Sequence, residues 1–385
     1  MKLAGVRVVD LTRFLPGPHL TMTMADHGAE VVKVEPYEDG EPTRSIGPSE
    51  AGHSVYFRNT NRGKRSLRLN LKHPAGREAL LRLAERSDVL VEGFRPGVAD
   101  RLGVHYAAVS ARAPQIVYCS ISAFGQTGAY RDRPAHDLAI EAIAGLVSLN
   151  RGRDGNPALP GVPAADMAAS LTALAGILMA LLRQRQTGRG DYLDLSMHDA
   201  LLGWTPHAVG PVFAGGRAPN PEAERFWGGN AFYDLYRTKD GGWLALGGAE
   251  HRFVASFLGK AGRPDLAAYA LEPPGSQAPL QAYLRELFGQ KTLAEWLDWL
   301  ADIDVCYAPV RTLQEAIRDP NTRARGMLLV DGEGCEHLGV PIKFAREPAR
   351  PELGVPEFGQ HSDQIMRELG YGEADLERLH AERVI

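Results

Sequence analysis

Short apolar runs alternate with amphipathic stretches over the first 130 residues. VRVVDL (6–11) reads as a strand, PHLTMTMADHG (18–28) as a helix opening at Pro18 and closing at Gly28, and AEVVKVE (29–35) as the next strand. HPAGREALLRLAERS (73–87) carries helical periodicity, while DVLVEGF (88–94) and QIVYCSISAFG (115–125) read as further strands. This alternation predicts right-handed crossovers and an open α/β layer with a parallel sheet. The nearly continuous apolar runs VRVV and IVYCSI fit strands covered on both faces.

From His136 to Arg185 the pattern turns helical, interrupted by a Gly- and Pro-rich loop at Arg151–Pro163. TGRGDYLDLSM (187–197) reads as a turn and a short strand. Dense Pro and Gly over 205–230 break the periodicity and mark a domain boundary. Beyond it, AFYDLYRT and WLALGG flank KDGG as a hairpin, followed by amphipathic helices and the strand DVCYAPV (304–310). That block predicts a smaller α+β domain. A Pro-rich stretch, Glu347–Glu357, precedes two terminal helices.

Composition narrows the classes. Apolar residues make up 44% and charged residues 23%, as in a soluble globular protein. With 43 basic and 47 acidic side chains the formal net charge is −4, which argues against an extended nucleic-acid footprint. Three widely spaced cysteines argue against a disulfide framework or thiolate zinc site and fit a reducing cytoplasm. MKLAGVRVVDLT reads as a first strand rather than a secretory leader. Met167–Leu182 is sixteen residues without a charge. That is short of the ~20 a membrane span needs, so it reads as a buried core helix. A soluble cytoplasmic protein without a membrane partner is expected.

Generic motifs say little. GxGxxG after the first strand, GxxxxGK[ST], HExxH, CxxC and GxSxG do not occur. No histidine pair stands at metal-ligand spacing, so no metal is expected. Three residues have plain local readings. Asp166 sits at the first turn of the apolar helix, where a carboxylate satisfies orphan N–H groups. His136 reads as a surface or capping histidine, and Glu250 as a first-turn glutamate.

Several stretches carry more when taken together: PGPHLTMTMADHGAEVVKVE (16–35), VEGFRPGVADRLG (91–103), AHDLAIEAIAGL (135–146), VPAADMAAS (162–170), RTKDGGWLALGGAEHRF (237–253) and PEFGQHSDQIMRELGY (356–371). As a set they resemble the family III CoA-transferase (CaiB/BaiF) family nearly end to end, and within it most the α-methylacyl-CoA racemase branch. The resemblance implies a Rossmann-like large domain over 1–204 rejoined by 330–385, a linker over 205–224 and a small domain over 225–329. It also implies an interlocked homodimer whose acyl-CoA site lies between the large domain of one chain and the small domain of the other.

The same resemblance assigns roles. Asp166 matches the nucleophile of the transferases and one base of the racemases. His136 matches the second racemase base in Ala135-His136-Asp137, where Ala135 stands in place of the family's Gly, and the backbone N–H of Asp137 matches a thioester-oxygen donor. Glu250 matches a glutamate that reaches the histidine from the partner chain. Arg95 in FRPG matches a CoA-contacting arginine, with Lys64 and Arg65 as further CoA candidates in a segment where Gly63 replaces the usual Asn. No cofactor is implied beyond the coenzyme A of the substrate. The alternative is a CoA-transferase working through an aspartyl-CoA thioester on Asp166. Only Trp227-Gly228-Gly229-Asn230 resembles the Gly-rich lid of the oxalate-type transferases. A non-catalytic CoA-binding protein would leave His136, Asp166 and Glu250 without a reason to occur together.

Overall fold

The alternation in the first part of the chain does build a parallel sheet. In the computed structural model, which describes residues 1–152 and 154–385, six strands form it. Arg153, inside the expected Arg151–Pro163 loop, lies outside the described residues. The strands are β1 (Arg7–Leu11), β2 (Glu30–Pro36), β3 (Arg65–Leu69), β4 (Val89–Glu92), β5 (Val117–Ser122) and β6 (Asp191–Ser196). Their order is β3-β2-β1-β4-β5-β6, all parallel. The chain winds outward from β1 to β3, then returns beside β1 and winds the other way. Such a reversal opens a crevice at the carboxyl ends of the two central strands, where ligands bind in open α/β sheets. Here those ends are Leu11 and Glu92, which pair across β1 and β4.

Edge strand β3 escapes the sequence reading. Its pattern RSLRL offers two leucines among two arginines, and charged side chains are how edge strands avoid further pairing. Val9, Leu67, Leu90 and Tyr118 build one core with Leu80 and Leu83 of the Pro74–Glu85 helix. Ile365, Met366, Leu379 and Ile385 from the end of the chain join the same core.

Contacts divide the chain into two compact units. The first comprises residues 1–144, 160–204 and 320–385, the second 145–159 and 205–319. Residues 205–224, expected as a linker, fall in the second unit, with Ala208 and Pro221 buried there. Residues 320–329 fall in the first, where Leu328–Val330 pairs with Glu336–Leu338 in a hairpin. The second unit carries an antiparallel sheet of β7 (Tyr233–Arg237), β8 (Trp243–Gly247) and β9 (Tyr307–Pro309), in the order β9-β8-β7. Phe232, Tyr236, Phe257, Phe288 and Trp296 form its core.

The apolar helix spans Ala164–Thr187, 24 residues, so by length and composition alone it could cross a membrane. It packs on β5, β6 and the Pro16–Asp26 helix, burying Ala165, Ala169, Ala173 and Ile177. Leu171, Leu178, Met179 and Leu182 stay exposed along its other side.

Candidate active site

A helix beginning at Ala164 leaves its first N–H groups without intrahelical acceptors, and Pro163 before it has no side chain to cap them. Asp166 was the sequence candidate for this cap. The structure assigns capping to other carboxylates. Asp137 Oδ1 accepts the N–H of Ala165 at 2.9 Å and that of Asp166 at 3.1 Å, and Glu141 Oε1 accepts the N–H of Ala164 at 2.8 Å. The carboxyl of Asp166 is thereby released from a structural task. Burial, then the neighbouring charges of Asp137 and Glu141, push it up to about 7. Glu141 is raised as well, first by burial and then by Asp137.

His136 is the residue immediately before Asp137 and caps the Asp137–Ile143 helix with extended backbone. It is exposed, and its ring meets Phe14 edge-on with centroids 5.9 Å apart. Because Asp137 bridges to the helix turn of Asp166, His136 and Asp166 share one rigid frame. The N–H of Asp137 heads its helix, among the groups without an intrahelical acceptor. Ala135 has no positive φ, so the missing glycine imposes no strain.

Three residues near this frame were not singled out from sequence. Tyr56, half-buried, is pushed up to about 12 by burial and by the charges of Asp166 and Glu41, which places it within electrostatic reach of Asp166. His19 Nδ1 lies 2.9 Å from Ser170 Oγ, one turn beyond Asp166 on the same helix, and burial followed by Lys64 holds His19 below its usual range. Glu141 did leave a trace: it follows Asp137 by four residues, so both carboxylates share one helix face.

The cation candidates separate sharply. Arg95 is exposed just past the carboxyl end of β4, at the switch-point crevice. Buried Glu92 accepts the N–H of Phe94 at 2.6 Å and so shapes the turn that presents Arg95; burial raises Glu92 to about 7. Lys64 points into the fold. It is fully buried, and Nζ donates to Asp10 at 3.0 Å, the carbonyl of Pro18 at 2.9 Å and Asn61 Oδ1 at 2.9 Å, using all three hydrogens. Arg65 is likewise spent, on Glu30 and Glu368, each at 2.8 Å. Both residues are engaged in ion pairs within the fold. Glu250, expected in the first turn of its helix, is instead the residue before it; it is exposed, makes no capping bond and belongs to the second unit. Among the described residues no His, Cys, Asp and Glu side chains cluster as a metal site requires.

The chain matches the model of CoA-transferase family III over residues 3–362. It is 33% identical over 377 residues to the acetyl-CoA:oxalate CoA-transferase of Acetobacter aceti, covering 96% of each chain. It is 32% identical over 391 residues to the α-methylacyl-CoA racemase of Mus musculus, covering 100% of this chain and 98% of that one. Among solved structures, a CAIB/BAIF family protein from Brucella suis superposes with a TM-score of 0.81 at 31% identity, covering 95% of this chain and 99% of that one. Relatives of similar rank therefore include both transferases and racemases. On the match along nearly its whole length, the chain belongs to CoA-transferase family III, a family of enzymes.

Proposed function

We propose that this chain is an acyl-CoA racemase or epimerase that moves the α-proton of a 2-methylacyl-CoA thioester between Asp166 and His136. The observation that carries this reading is the Asp137 bridge, which binds the residue after His136 to the turn of Asp166. An imidazole and a carboxyl thus share one frame, the carboxyl of Asp166 pushed up to about 7 by burial and like charge. A thioester α-proton is weakly acidic, so the enolate oxygen needs preorganised donors, and the N–H of Asp137 is the candidate. One base removes the proton from one face, and the conjugate acid of the other returns a proton to the opposite face. Arg95 at the crevice would hold a CoA phosphate through its planar fork. No cofactor beyond the substrate's own coenzyme A enters this scheme.

The assembly proposed with it is a homodimer in which Glu250 of the partner subunit supports His136, fixing its tautomer and raising its basicity. The exposed row Leu171, Leu178, Met179 and Leu182 supports association, since monomers rarely leave such a row uncovered. A second reading has its own support. An Asp166 carboxyl freed from capping is also available as a nucleophile, and the oxalate transferase relative is as similar as the racemase. In that reading CoA passes through an aspartyl-CoA thioester on Asp166 to an acceptor acid.

Single variants tested on separate epimers distinguish the two. His136→Ala should abolish racemisation yet retain deuterium exchange on the epimer whose proton faces Asp166. Asp166→Ala should show the complementary preference. No exchange of either epimer by the wild-type protein, with hydroxylamine trapping an adduct on Asp166, would favour the transferase.

A further inference from the structure

Phe14 lies in the turn after β1, at the crevice end of the sheet, with a φ of 65°. That left-handed conformation strains a bulky residue and persists only where the surroundings over-determine it. The ring is only partly buried, with Phe14 37% exposed. A buried ion pair holds the turn instead. Lys33 Nζ lies 2.9 Å from a carboxylate oxygen of Glu41, with both side chains nearly free of solvent. Lys33 also donates to the carbonyl of Thr12, and Glu41 Oε1 accepts the N–H of Phe14 at 2.9 Å. The pair therefore grips the turn on both sides of Arg13.

Further contacts remove its remaining freedom. Asp10 Oδ1 accepts the N–H of Thr12 at 2.9 Å and its hydroxyl at 2.5 Å. Glu41 Oε1 also accepts the hydroxyl of Thr43 at 3.1 Å, which fixes the acceptor itself. A Cβ on Gly17 would sit 2.2 Å from that of Thr12, so the following helix closes tightly over the turn. The outcome of all this fixing is one presented group: the Phe14 ring, standing at 79° to the imidazole of His136.

We propose that Phe14 is a positioning residue for His136, its ring held in place by the Lys33–Glu41 pair so that the exposed imidazole keeps one orientation toward the reacting carbon. The inference rests on the proton-transfer reading of His136 given above. An exposed histidine without such a stop samples several rotamers, and the reactive fraction falls in proportion. The effect belongs to kcat, because the ring has no part in holding the CoA phosphates.

The test uses the full-length protein and α-proton exchange of the 2-methylacyl-CoA epimer whose proton faces His136. Phe14→Gly keeps the left-handed backbone, which glycine adopts freely, and removes only the ring. The expected result is a Tm no lower than wild type, a KM within about twofold, and a kcat reduced on the order of tenfold or more. Phe14→Tyr, which restores an aromatic edge, should recover most of the lost kcat. Wild-type kcat in Phe14→Gly overturns the inference. So does a kcat loss matched by loss of folded protein, since the ring would then only pack. His136→Ala keeps the two claims apart. If it is inactive while Phe14→Gly is unimpaired, the Phe14 inference alone falls. If His136→Ala exchanges like wild type, the proton-transfer reading falls first and takes this inference with it.

Discussion

Asp10 and Asp166 are both carboxylates of the first unit, yet their neighbours pull them in opposite directions. Burial alone would raise Asp10, but Lys33 and Lys64, with Nζ atoms 3.9 and 3.0 Å away, and the hydroxyls of Thr12 and Thr21 hold it well below the usual carboxylate range. Around Asp166 the charges that count are Asp137 and Glu141, of its own sign, and they add to burial. The first cluster spends its charges on each other and fixes backbone. The second keeps a carboxyl poised between its two protonation states at neutral pH. Burial is common to both, so the sign of the neighbours decides which cluster holds the fold and which is ready for chemistry.

The largest effect should come from breaking the paired cluster. Lys64→Ala leaves Asp10 buried with half its compensation, and urea denaturation should show a loss of about 3–5 kcal/mol. A variant that folds normally but binds acyl-CoA poorly would return Lys64 to the CoA site.

Asp166→Asn probes the other cluster, and its sign should be reversed. Between about pH 4 and pH 7 the native state keeps a proton on Asp166 that the unfolded chain has released, so wild-type stability falls as pH rises through that window. The amide that replaces the carboxyl cannot ionise, so the variant should be inactive but more stable than wild type at pH 8, by about 2–4 kcal/mol. The difference should vanish near pH 4 in paired denaturation curves. A variant less stable than wild type at pH 8 would mean that Asp166 has a cationic partner.

Smaller effects sharpen the division between free and spent cations. Arg95→Ala should raise KM for the CoA thioester by about 1.5–3 kcal/mol with no change in Tm. Arg65→Ala removes only surface ion pairs and should cost about 1 kcal/mol or less, with KM unchanged. Steady-state kinetics beside thermal melts separates the two.

What the sequence disclosed follows the same physics. The buried strands at VRVV, VLVE and VYCSIS were legible because a parallel sheet covered on both faces writes an uninterrupted apolar run. Edge strand β3 was not, since Arg65 and Arg68 interrupt its pattern and find their partners only after folding, in Glu368 and the carbonyl of Tyr37. The partners of Lys64 were illegible for the same reason: Asp10 lies 54 residues away. Asp166 stood out through the family resemblance, while its place on the helix suggested only a cap; the caps that free it come from Asp137 and Glu141, in a different helix. Phe14 left no trace at all, because neither its φ nor its contact with His136 is written in local residue pattern.

The central claim, proton transfer between Asp166 and His136, is tested most directly by one incubation. A single epimer of a 2-methylacyl-CoA is held with the wild-type protein in D₂O without any carboxylic acid, and its α-carbon is followed by NMR and chiral analysis. The account predicts deuterium at that carbon together with loss of configuration. An unlabelled, optically intact thioester, with hydroxylamine trapping an adduct on Asp166 when the protein is charged with acyl-CoA, would contradict it.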